Sequence, residues 1–198
     1  HTAYRRQRQM CIRDSLISVV KTYAVDITAD STISSSSDGD QYNIKTNNDI
    51  DVIVTNNSTL ERNQKIFNVS ASSLTGSSIT IHLGSSVIAE TNSIFSNGAE
   101  LTITNTGTIE ATNSKAINVS NSDGVSITNN NNGVIKSNNN TILGDAGTGA
   151  DNVTIDNSGE IYTTATGTES SAIVFANNDT GNTITNNSGG EIYSSGSE

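Results

Sequence analysis

The sequence predicts an all-β fold, a right-handed parallel β-helix of about seven stacked coils, each of 22–29 residues and three strands. Three observations predict it. A motif of alternating apolar and polar residues returns every 22–29 positions; its apolar positions are mostly β-branched; and Asn or Gly closes the clearer copies where the chain must turn.

The clearest copy is Leu101-Thr-Ile103-Thr-Asn105-Thr-Gly107-Thr-Ile109-Glu110: a strand, an Asn-x-Gly turn and a second short strand, followed by a third strand at Lys115-Ala-Ile117-Asn-Val119. It recurs as Val125-Ser-Ile127-Thr-Asn129 with Gly133-Val-Ile135, as Val153-Thr-Ile155-Asp-Asn157-Ser-Gly159-Glu-Ile161-Tyr162, and as Asn182-Thr-Ile184-Thr-Asn186 with Gly190-Glu-Ile192-Tyr193. Weaker copies lie upstream, at Val25-Asp-Ile27 with Ile33, Val52-Ile-Val54 with Leu60, and Ile79-Thr-Ile81 with Val87. The third strand repeats at Lys65-Ile-Phe67-Asn-Val69, Ser93-Ile-Phe95, Asn140-Thr-Ile142-Leu143 and Ser171-Ala-Ile173-Val-Phe175.

One coil has too few apolar side chains to offset the entropy of ordering its backbone, so the coils must stack and share a core. At about 4.8 Å per strand, seven coils make a rod roughly 34 Å tall. Alternation sends Ile27, Val54, Ile81, Ile103, Ile127, Ile155 and Ile184 inward as one expected vertical stack, with Thr102, Thr104 and Glu110 facing water. Phe67 and Phe95, at the same place in the third-strand motif, are expected to touch in the core. Asn56, Asn105, Asn129, Asn157 and Asn186 end the first strand of their copies. Two readings stay open for them: a ladder of side-chain amides, or solvated turn residues.

Charge excludes some partners. Four of the 10 basic residues (Arg5, Arg6, Arg8, Arg13) and one of the 20 acids (Asp14) fall in residues 1–15, leaving six basic against nineteen acidic residues in the body. Such a body repels nucleic acid and anionic lipid. Residues 1–15, which include Cys11, resemble translated sequencing-adapter read-through; the other reading is a genuine basic tail. Setting them aside leaves a body without cysteine and without thiol chemistry. Residues 16–24 read either as a signal-peptide remnant cut after Ala24 or as a first strand, and residues 25–198 as the β-helix. The last copy lacks its third strand, so the β-helix is expected to be truncated at its C-terminus.

Alternating strand, Asn-x-Gly turn and later Ala-Ile-x-Val strand together resemble the passenger repeats of bacterial autotransporters over most of residues 25–198. The resemblance implies secretion, display of a structural or adhesive stalk at the cell surface, and a downstream outer-membrane barrel. It also implies a host or environmental glycan or protein as partner. A surface-layer repeat protein would obey the same physics with a different anchor.

Some parallel β-helices are polysaccharide lyases or hydrolases, which sets the alternative: a fragment of a carbohydrate-active enzyme whose site lies elsewhere. Lyase chemistry needs clustered carboxylates around Ca²⁺ and a basic residue, and glycosidases need two facing carboxylates. Beyond the leader the sequence offers one Arg, Arg62, and one His, His82, and neither has an evident catalytic partner. Asp156 and Glu160 read as solvated acids, so no enzyme, catalytic residue or cofactor is expected. Gly147-Thr-Gly149-Ala-Asp151 resembles one unit of the Ca²⁺-binding nonapeptide array, which makes Asp145 and Asp151 the best metal candidates, although such an array needs tandem copies. Tyr162 and Tyr193 share one outward position in adjacent coils and are expected either to form a surface platform for a ligand or to be a plain aromatic pair.

Overall fold

A computed structural model describes residues 24–45, 49–55, 57–70, 74–144, 149–166 and 170–195. The chain begins with β1 (Ala24–Asp26), β2 (Ser31–Ile33) and β3 (Ser37–Asp38). That three-strand order repeats until β19 (Ile173–Val174), β20 (Thr183–Asn186) and β21 (Glu191–Ser194). Every third strand joins the same sheet, giving three seven-stranded sheets in which each described pairing is parallel. The fold is a parallel β-solenoid. Seven rungs result, of which five have a neighbour on both sides.

The strands are short because each must end where the coil turns a corner, and β-branched alternation suits a pleated surface with one buried side. Each interior rung contributes inward residues that are fully buried, among them Val52, Ile79, Ile103, Ile127 and Ile155 in the second sheet and Leu60, Val87, Ile109, Ile135 and Ile161 in the third. These join one continuous core along the axis. At the last rung the inward side chains lose their cover. Ile184 is 47% exposed although it pairs in register with Ile155.

The register corrects the expected core stack at two places. The column containing Ile103, Ile127, Ile155 and Ile184 continues upward through Ile79 and Val52. Ile81 instead lies opposite Asn105, and Val54 lies above Ile81. The sequence spacing aligned the start of each apolar run, but the strand from Ser77 to Ile81 begins two residues earlier than its motif suggested. A two-residue offset keeps every side chain on its face, so periodicity alone could not detect it.

The second correction concerns Ile27. Val25 pairs with Tyr42 in the first sheet, while Ile33 pairs with Val54 in the second. Ile27 is buried, but just beyond β1 and not beneath the Val54 column. The opening coil is shorter than the rest: Ala24 lies opposite Gln41, seventeen positions on, whereas Ile142 lies opposite Ile173, thirty-one on. The expected range of 22–29 residues was too narrow.

Phe67 and Phe95 do not meet. Phe67 pairs with Ile94 and is fully buried, its ring 5.5 Å from that of Tyr42. Phe95 pairs with Asn68 and points outward, where the Lys65 ammonium lies 3.4 Å from its ring centroid. Aligning the two motifs by their phenylalanines was wrong by one residue, and one residue reverses the face.

Candidate functional site

Three features set this solenoid apart from a plain stack of apolar strands: an internal column of asparagines, an outward aromatic pair, and an outward hydroxyl face.

The column begins where Asn105 replaces the aliphatic residues of earlier rungs, so that Ile33, Val54 and Ile81 are followed by Asn105, Asn129, Asn157 and Asn186. Asn105, Asn129 and Asn157 are fully buried. Each donates from Nδ2 to the Oδ1 of the next, at 2.9, 2.8 and 2.8 Å from Asn105 to Asn186. Nδ2 also reaches the carbonyls of its own turn and of the next rung, as Asn129 does to Gly133 and Glu160. In two rungs the Oδ1 accepts the backbone N–H two residues on, at Gly107 and Gly159. A buried amide is favourable only when its donors and acceptors are satisfied, and this arrangement satisfies them with identical neighbours. Asn56 lies outside the described residues, and the register puts Val54 at this position in its rung.

The glycine that follows each asparagine is required by space. It has an ordinary backbone conformation, yet a Cβ on Gly159 would lie 2.2 Å from the Gly133 carbonyl and 2.8 Å from Asn129 Nδ2. On Gly133 it would lie 2.3 Å from Asn129 Oδ1. Where the column is aliphatic the corresponding turn residues are Ser58 and Ser85. Asn and Gly therefore enter the rungs together. Gly159→Ala, which elsewhere would stabilise by stiffening the unfolded chain, is expected to cost about 1–3 kcal/mol here, read as a lower midpoint in urea unfolding.

On the third sheet, outward positions run Glu110, Lys136, Tyr162, Tyr193 in register. Lys136 Nζ lies 3.0 Å from Glu110 Oε2. The tyrosine rings stack at 4.9 Å between centroids and 6° between planes. Each thus covers a face of the other, so the pair offers its edges, its hydroxyls and the outer face of Tyr193 and not two coplanar rings. The Tyr193 hydroxyl donates to Glu160 Oε2 at 3.2 Å. Desolvation first, and then the charge of Glu160, push its ionisation above the ordinary tyrosine range.

The remaining candidates have local partners. Asp145 lies outside the described residues. Asp151 Oδ1 accepts the N–H and hydroxyl of Thr180 at 2.6 and 3.1 Å, holding the turn of the next coil. Among the described residues no group of three or more His, Cys, Asp or Glu side chains could hold a metal ion. Arg62 donates to Gln41 Oε1 and to the Lys65 carbonyl at 2.6 and 2.9 Å, and His82 Nδ1 lies 3.2 Å from Thr55 Oγ1 on the exposed surface. Asp156 accepts from Asn187 Nδ2. Glu160 and Glu191 pair in register and line a groove of about 460 Å³ together with Asn131, Asn132, Ser158 and Ser188.

The asparagine periodicity was visible in the sequence. The regularity of the outward hydroxyls on the second sheet was not singled out there, although Thr102, Ser126, Thr154 and Thr183 already shared one motif position, to which the register adds Ser78. Compared with family models, curated proteins and solved structures, the chain matches none.

Proposed function

We propose that this chain is a rigid stalk segment of a secreted, surface-displayed adhesin, built like the passenger of a bacterial autotransporter. The observation that carries the reading is the unbroken register of three parallel sheets around a core stiffened by a buried amide column. Such a rod propagates a binding surface away from an anchor and repeats it at each rung. The outward strand positions of its second sheet hold mainly Thr and Ser, and the acidic body discourages adsorption to anionic lipid. The partner expected is a host or environmental glycan or protein, and the anchor an outer-membrane barrel.

The test is display. Fused to an outer-membrane barrel on a non-adherent bacterium, the chain is expected to raise attachment to surfaces coated with glycans or matrix proteins at least severalfold over the barrel alone. Surface-accessible, folded chain that attaches to none of them would overturn the adhesive reading. Cleavage of a polysaccharide by the purified chain would instead favour the carbohydrate-active enzyme, with the groove at Glu160 and Glu191 as the first place to mutate.

A further inference from the structure

The second sheet presents an outward face unlike the other two. Its strands from Ser77–Ile81, Leu101–Asn105, Ser126–Asn129, Thr154–Asn157 and Thr183–Asn186 pair in register, and their outward side chains form two columns. One reads Ser78, Thr102, Ser126, Thr154, Thr183, and the other Thr80, Thr104, Thr128, Asp156, Thr185. Nine of the ten positions carry a hydroxyl. Of these only Ser78 has a protein partner among the described residues, donating to Asp51 Oδ1 at 2.6 Å. Asp156 interrupts the second column and is occupied by Asn187. On the third sheet the outward positions mix acids, Lys136, Val134 and two tyrosines, with no such regularity.

Eight unpartnered hydroxyls must be satisfied from outside the protein, and a parallel sheet sets them on a grid. Rungs repeat at about 4.8 Å, and alternate residues along a strand at about 6.6 Å. A tetrahedral water network built on O···O distances of about 2.75 Å repeats at about 4.5 Å within a layer and about 7.3 Å between equivalent layers. The misfit is about a tenth or less in each direction; over four rung spacings it accumulates to about 1.2 Å, less than half of one water-to-water distance. Thr is restricted at χ1, so its hydroxyl and methyl hold their grid positions without a further loss of side-chain freedom on binding. The hydroxyl both donates and accepts, as a lattice water does. A soluble sugar or a folded protein would look for an aromatic platform, a charge or an apolar centre, and over these five strands the face has none beyond Asp156; it ends one rung above, where Asp51 and Ile53 stand in register with Ser78 and Thr80.

We infer that the hydroxyl face of the second sheet binds ordered water and docks onto the surface of ice. The inference does not depend on the stalk reading, because it concerns what one face recognises and not where the chain is displayed. The intact chain at millimolar concentration is expected to facet growing ice crystals and to open a measurable gap between melting and freezing points. Thr104→Tyr combined with Thr128→Tyr places bulk on the middle of the grid and should cut that gap at least tenfold. Thr108→Tyr, at an outward position of the third sheet, should leave it unchanged. Circular dichroism checks that each variant is folded; should the double variant not fold, Thr102→Lys, at an exposed position of the same grid, replaces it. Absence of faceting by folded chain, or equal activity in the grid variants, would overturn the proposal. So would retention on crystalline cellulose or chitin without any effect on ice, which would assign the grid to a crystalline glycan.

Discussion

Asn129→Asp is expected to destabilise the rod by about 3–5 kcal/mol at neutral pH. Asn129 is fully buried, and its Nδ2 donates to Asn157 Oδ1 at 2.8 Å and to the Gly133 and Glu160 carbonyls at 3.1 and 3.2 Å. A carboxylate has no proton to offer, so it would face three oxygens with negative charge inside a dry column. The introduced acid is better accommodated when protonated, which raises its folded-state pKa above the unfolded value of about 3.9. The variant should therefore lie nearest the parent below about pH 4 and lose stability as pH rises through the folded-state pKa. Urea unfolding followed by circular dichroism at pH 3.5 and 7 reads both the loss and its sign. Asn129→Val, which restores the kind of residue found at Val54, removes the donors without adding charge and should cost about 1–3 kcal/mol with no pH dependence. Equal losses for the two variants, or a loss that grows at low pH, would show that the amides do not form a donor chain.

Phe67→Ala should cost about 3–5 kcal/mol, because it empties a fully buried site between Ile94 and Tyr42. Phe95→Ala, one residue out of register and half-exposed beneath Lys65, should cost about 1 kcal/mol or less. Denaturant midpoints of the two variants test the register directly. Similar losses would mean that both rings lie in the core, as the motif spacing alone suggested.

That contrast shows where the sequence was legible. Strand type and inward face could be read wherever Ile or Val alternated with Thr, because a period of two is local information and the template from Leu101 to Glu110 states it without interruption. Vertical alignment could not be read to the same precision. Ile81 and Ile103 both look like the centre of a strand, yet Ile81 stands opposite Asn105, and nothing in either segment records an offset that preserves the face. Phe95 failed for the converse reason, since two aromatic residues in similar contexts invited an alignment that reversed one of them. The asparagine column was half legible. Repetition of Asn105, Asn129, Asn157 and Asn186 marked a shared position, but a short polar side chain before a glycine reads equally well as a solvated turn. Burial decided it, and burial depends on the coils above and below. The outward hydroxyls were legible as polar positions, while their common grid required the register.

The pairing of asparagine with glycine also constrains how such a chain can change over generations. An asparagine placed beneath Ile81 without its glycine would have to fit a side chain where its own turn leaves no room, and a glycine acquired first would surrender packing for nothing in return. Neither single step is neutral. Whole coils carrying both residues can instead be copied, lost or exchanged as blocks, since each brings a donor for the coil after it and an acceptor for the coil before. Lineages of this protein should accordingly differ by number of coils more readily than by conversion of one kind of coil into the other.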